Sequence, residues 1–213
     1  MMAGIKIHHA LSSGGISMPV IAIQELVSKL RCCSEADFLH VDHVRELLRA
    51  SPVDPKSIEQ YLIWDLQHYT RNLIDKTPLY ELLAICWEAG QGSSIHNHKE
   101  QNCWMAVPIG RLLVQNYKVL AQNLASGTCD LAPSDVIEMN PASPAAVDPE
   151  QPVHKVYNPP EFAQRAVSLH VYSRPYDRCV VYSAEQHKCG EIELHYTSEF
   201  GVPNSRASQL ATQ

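Results

Sequence analysis

The sequence predicts a mainly β fold, a small barrel or sandwich of short strands with about three N-terminal helices packed outside it. Three observations predict it. Apolar residues recur at helical spacing only between Pro19 and Tyr61. After Trp64 the chain breaks into short runs rich in Val, Ile, Leu and Tyr, separated by Gly, Pro, Asn or Asp, which is the rhythm of a barrel or sandwich. A chain of 213 residues, 45% of them apolar, fills one core and is too short for two domains.

The elements follow in order. Residues 1–18 are small and polar around Gly14-Gly15 and are expected to be loosely ordered. Ile21, Leu26, Val27 and Leu30 trace one amphipathic helix, and Phe38, Val41, Val44, Leu47 and Leu48 a second. Asp54-Pro55 then pairs a capping residue with proline at the first helical position and opens a short third helix through Tyr61. Strand runs are read at 80–89, 110–119, 134–140, 154–158, 166–173, 177–183 and 190–198. Four prolines make 141–152 a loop. A single domain is therefore expected over 19–202, with a polar tail at 203–213.

Composition excludes several partners. A net charge of −6 and a pI of about 6.0, without a basic stripe, argue against nucleic acid and anionic membrane surfaces. No run of apolar residues is long enough to span a bilayer, and the first fifteen residues lack a signal peptide's apolar core. A soluble cytoplasmic monomer is the expectation. Seven cysteines, an odd number with no CxxC pair, read as free thiols.

The chemistry concentrates in Gly90-Gln-Gly-Ser-Ser-Ile-His96-Asn-His98-Lys-Glu-Gln-Asn-Cys103, followed by Gly110. Residues two apart on a strand share a face, so His96 and His98 can present both imidazoles to one ion. Alone, such a pair serves equally as surface or hydrogen-bonded core histidine. The string resembles the first cupin motif, and His154-Lys-Val-Tyr-Asn158 resembles the end of the second. The cupin pattern usually has glutamate where this chain has Cys103. Three neutral imidazoles without that carboxylate leave a more positive, more open site, suited to a substrate that brings its own anionic donor, such as a thiolate.

Over nearly its whole length the chain is similar to the type I cysteine dioxygenases. The matching segments are Tyr69-Thr-Arg71-Asn-Leu-Ile-Asp75, Cys86-Trp87, Gly92–His98, Cys103, His154, Ser168–Ser173, Asp177-Arg-Cys179 and Ser198-Glu-Phe-Gly201. The resemblance implies Fe(2+) bound by His96, His98 and His154, and L-cysteine and dioxygen as the partners, with cysteine chelating through its thiolate and amine. It implies that Arg71 clamps the substrate carboxylate with help from Tyr69. Cys103 and Tyr172 correspond to a pair joined by a thioether in this family, and His170 to the residue that orients the tyrosine hydroxyl. Trp87 and Cys179 are pocket wall or plain core. Where the family commonly has Ser-Pro-Pro with a cis peptide, this chain has Ser173-Arg174-Pro175. A cis bond before Arg174 would cost about 3 kcal/mol, so the peptide is either trans or strained, and Arg174 is expected to alter the pocket charge and with it the substrate range. The rival readings are a relative acting on 3-mercaptopropionate or cysteamine, a metal-free cupin module, and a metal-dependent isomerase.

Overall fold

The structure is a computed structural model that describes residues 19–143, the backbone of 145–146, and 152–204. The expectations for 1–18, for 205–213 and for most of the 141–152 loop lie outside the described residues.

Helices α1 (Ile23–Arg31), α2 (Glu35–Leu39), α3 (Val41–Ala50) and α4 (Pro55–Ile58) open the fold, the last running into a turn of 3-10 helix at Glu59–Tyr61. The second helix of the sequence reading is thus two. The capping box of Ser34 and Asp37 starts α2, and the backbone turns extended at His40 (φ −95°, ψ 105°) before α3 begins. That break lets Phe38 and Val44 reach the same core. The Asp54 cap is present, its side chain accepting from Lys56 N at 3.0 Å.

Thirteen strands follow: β1 (Thr70–Lys76), β2 (Glu81–Trp87), β3 (Ile95–His96), β4 (Cys103–Ile109), β5 (Leu112–Asn123), β6 (Thr128–Met139), β7 (Ala145–Ala146), β8 (Val153–Tyr157), β9 (Ala166–Tyr172), β10 (Arg178–Ser183), β11 (Lys188–Glu193), β12 (Ser198–Glu199) and β13 (Val202–Pro203). One sheet has the order β13-β12-β1-β2-β9-β4-β7; the others close on themselves as β10-β11-β6-β5-β8-β3. The fold is mainly β, as expected. The reading passed over β1 and β4 as separate runs, and β7 puts a two-residue strand inside the expected loop, pairing with Trp104 and Met105.

Alternation decides how the seven-stranded sheet is used. Leu82, Ala84, Cys86, Trp104, Leu169 and Val171 face the helices and pack with Leu26, Leu30, Phe38 and Val44. Leu73, Leu83, Ile85, Trp87, Cys103, Met105 and Tyr172 face the other way, meeting Leu112, Val114, Met139 and Val156 from the closed sheet. Each fully buried aliphatic side chain contributes about 1.5–3 kcal/mol of transfer free energy. A bulge between Leu73 and Asp75 accompanies a buried polar anchor. Arg31 of α1 binds both oxygens of Asp75, at 2.6 and 3.0 Å, and Tyr80 donates to the same carboxylate, which ties the helical layer to β1.

Candidate active site

His96 lies on β3 and His154 on β8, directly paired in register, and His98 follows two residues after the end of β3. Asn97, between the two, points away: its side-chain Oδ1 accepts from Val180 N at 3.1 Å and its Nδ2 donates to the Tyr182 hydroxyl at 3.3 Å. Pinning the middle residue to β10 turns both flanking imidazoles inward. Gly92 is needed because β8 passes so close that a Cβ there would stand 2.8 Å from the Cβ of Tyr157. Asn158 closes the same turn by accepting from Gly90 N and donating its own N–H to Gln91 O, both at 2.8 Å.

The three rings meet edge to face with centroids 4.8–5.1 Å apart, and one nitrogen from each lies within 4.8 Å of the others. Both ring nitrogens of His98 and of His154 are enclosed without any hydrogen-bond partner. Nδ1 of His96 lies 2.9 Å from Ser94 O; since a carbonyl only accepts, Nδ1 carries the proton and the Nε2 lone pair is free. Burial, first of all, pushes His96 down to about 4 and holds His98 and His154 well below the ordinary histidine range. Neutral imidazoles with orphaned nitrogens are the donor set a borderline divalent metal takes. The other such cluster among the described residues, Cys33, Asp37 and His43, is already engaged: Asp37 caps α2 and Cys33 donates to Lys29 O.

The inner face of the seven-stranded sheet runs beside this cluster in cross-strand rows. Cys103, Tyr172 and Glu81 stand side by side on β4, β9 and β2; Met105, His170 and Leu83 form the next row; Ser168, Ile85 and Arg71 the third. Trp87 Nε1 donates to Ser168 Oγ at 2.9 Å, Ser168 lies 2.8 Å from His170 Nε2, and His170 Nδ1 lies 3.1 Å from the Tyr172 hydroxyl. Direction follows from the donors available. Indole only donates, so a buried serine uses its own proton on Nε2; His170, held down to about 3 by burial and then by the Arg71 charge, carries its single proton on Nδ1 and donates to the Tyr172 oxygen. The phenol is left holding a proton aimed elsewhere, and burial keeps it protonated far above its usual range.

Arg71 is half-buried, with Nε and Nη2 enclosed and unpartnered. Burial opposes its charge, but the acidic groups around it, of which Glu81 is the carboxylate, leave its pKa above the ordinary value, so the guanidinium stays charged. Tyr69 stacks on Trp87 at 4.7 Å. Cys179 is a buried thiol raised by burial. The sequence reading named all of these. It missed Tyr176, whose ring stands edge-on to Tyr172 at 5.0 Å and faces His98 at 6.3 Å, and Glu81, which is fully buried. The signal for Glu81 was a lone acid opening the apolar run 81–87, a pattern that without the register reads as a strand end.

Arg174 departs from its expectation. No peptide bond among the described residues is cis; the unusual geometry is in φ, at +115°, a region costly for any residue with a Cβ, on the order of 1–3 kcal/mol. Its guanidinium points outward to Glu35 on α2, at 2.5 Å, and so leaves the charge beside the histidines unchanged.

The model of the family "Cysteine dioxygenase type I" matches residues 14–185. Cysteine dioxygenase type 1 of Danio rerio is 27% identical over 84% of this chain and 88% of its own, and that of Homo sapiens is 27% identical over 88% and 93%. A solved cupin domain from Bordetella pertussis is similar at 13% identity and a TM-score of 0.36, over 53% of this chain and 100% of that one. No helix among the described residues is long and apolar enough to cross a membrane. With a match that spans most of its length, the chain belongs to the cysteine dioxygenase type I family of oxidoreductases.

Proposed function

We propose that the protein is a cysteine dioxygenase that adds both atoms of dioxygen to the thiol of free L-cysteine, giving cysteine sulfinate at an iron(II) held by His96, His98 and His154. One observation carries the reading: the enclosed, unpartnered Nε and Nη2 of the Arg71 guanidinium lie on the inner face beside three clustered imidazoles, those of His98 and His154 with both ring nitrogens unpartnered and that of His96 with Nε2 free. That arrangement complements a small molecule with a carboxylate at one end and a metal-binding thiolate at the other. The names of the zebrafish and human relatives supply cysteine as that molecule.

Iron(II), when bound, supplies the centre at which a thiolate and dioxygen become neighbours. The residues of the chain do the rest. Arg71 takes the carboxylate in two parallel charge-assisted hydrogen bonds, with Tyr69 beside it, and so fixes where the sulfur sits. The Trp87–Ser168–His170 chain fixes the Tyr172 hydroxyl in one orientation at the edge of the site. Cys103 lies directly across from Tyr172, the register a thioether between sulfur and the ring carbon beside the phenol oxygen requires. Forming it breaks the Cys103 S–H bond and one Tyr172 ring C–H bond and makes one C–S bond; the two hydrogens and two electrons pass to dioxygen, giving hydrogen peroxide. The bond locks the phenol against rotation. A cytoplasmic monomer remains the expected setting.

The test is oxygen uptake by iron-loaded protein with cysteine, cysteamine and 3-mercaptopropionate in parallel, with sulfinate measured as product. Preference for cysteine supports the reading, and equal use of cysteamine refutes the carboxylate clamp. A mass lighter than the sequence by two hydrogens in the native protein, and never in Tyr172→Phe, supports the thioether.

A further inference from the structure

Cysteine in water carries its thiol protonated, with a pKa of about 8.5, and the thiolate is the form that ligates and reacts. Binding in the pocket therefore requires that a proton leave the sulfur, and something must receive it. Most groups in the pocket cannot. The ring nitrogens of His96, His98 and His154 belong to the candidate metal site, and both nitrogens of His170 are engaged by Ser168 and Tyr172. Tyr172 and Tyr176 hold their own protons, raised by burial, Cys103 is either a protonated thiol or a thioether sulfur, neither of them a base, and Arg71 is cationic.

Glu81 remains. It is 0% exposed and stands in the row beside Tyr172, on the face of the sheet that carries Cys103 and Arg71. Tyr196 donates to its Oε2, and Lys76 Nζ donates in turn to the Tyr196 hydroxyl at 3.3 Å. Oε1 is enclosed with no partner. A buried carboxylate oxygen without a donor is costly and needs a reason. We propose that Glu81 is the base that takes the thiol proton as the amino-acid substrate binds. In that step the S–H bond breaks, an O–H bond forms on Oε1, the carboxylate becomes a neutral acid and the thiolate is left in the pocket. No oxidant is involved, and the proton returns to solvent when the product leaves.

The surroundings suit the role. Burial favours the acid and prevails, holding the pKa above the ordinary carboxylate range; Tyr196, ahead of β12, donates to the carboxylate, and Arg71 and Lys76 from β1 and the backbone N–H of Tyr176 also favour it. Tyr172 from β9, Cys103 from β4 and Tyr176 ahead of β10 complete the shell and are uncharged at neutral pH. The inference rests on the dioxygenase reading, since it needs a thiol that binds as thiolate.

The experiment uses iron-loaded protein without oxygen, in weak buffer with a pH indicator. On adding cysteine, Glu81→Gln should release about one proton more per bound cysteine than the native protein does, because the native carboxylate retains it. With oxygen present, Glu81→Gln should lose about 10²-fold in kcat/KM together with the acid limb of its pH profile. Tyr196→Phe removes a donor that stabilises the carboxylate, so its acid limb should move to higher pH. An equal proton count and an unmoved limb in Glu81→Gln overturn the proposal; if that variant fails to fold, an unmoved limb in Tyr196→Phe does so. Native protein that takes up no oxygen with cysteine refutes the dioxygenase reading instead.

Discussion

Strands β2 and β9 are buried along their whole lengths, yet their two faces do different work. Toward the helices they present Leu82, Ala84, Cys86, Leu169 and Val171. Toward the closed sheet the same strands present Glu81, Ser168, His170 and Tyr172 among their apolar neighbours. The period of two makes this possible: a strand can spend every second residue on packing and leave the alternate ones for chemistry without weakening its hydrogen-bonded ladder. Burial alone therefore does not separate core from site. What separates them is polar content: the inner face carries the linked Ser168, His170 and Tyr172 and, with Arg71 and the histidines opposite, most of the buried polar atoms without a partner among the described residues.

Substitutions on the two faces test this separation. The largest effect is expected on the inner side. His154→Ala should remove tight iron binding and bring cysteine oxidation to background, with metal analysis giving well under one iron per chain. Arg71→Ala comes next: losing charge-assisted bonds to the carboxylate, about 1.5–3 kcal/mol, should lower kcat/KM for cysteine roughly 10- to 100-fold and that for cysteamine far less. Leu169→Ala, on the outer face, should cost about 2–5 kcal/mol of stability in denaturant melts, while kcat per folded molecule is unchanged. A matching loss of kcat there would show that the two faces are not separable. Acid should also distinguish the faces. His96 titrates at about 4 in the fold against about 6.5 unfolded, with His98, His154 and His170 depressed as well. The unfolded chain then binds more protons over that window, so metal-free protein should lose stability as the pH falls from about 6.5 toward 4. The smallest effect belongs to Arg174→Gly, which relieves a positive φ and removes an exposed ion pair worth at most about 1 kcal/mol. It should raise the melting temperature slightly and leave the preference among thiols unchanged.

The metal-ligand pattern was legible because it is local: His-x-His and His154-x-x-x-Asn158 mark their strands by spacing. The rest of the site was legible through the family resemblance, and the sequence alone offers no reason why Arg71 and His154 should share a pocket. What stayed hidden depends on register and on break points. Glu81 reads as a strand end until its pairing with Tyr172 is known. Tyr176 lies in a short connection, where no periodicity assigns a direction. The break at His40 interrupts an apolar stripe that spacing alone reads as continuous, and at Arg174 the departure lies in φ, which spacing does not report.

The central claim is that the inner face holds a metal and a thiol amino acid together. The most direct measurement follows oxygen and product at once, with iron-loaded protein and L-cysteine in a closed cell. One dioxygen should be consumed for each cysteine sulfinate formed. Iron-loaded protein that consumes no oxygen, or consumes it and yields only cystine, would contradict that claim.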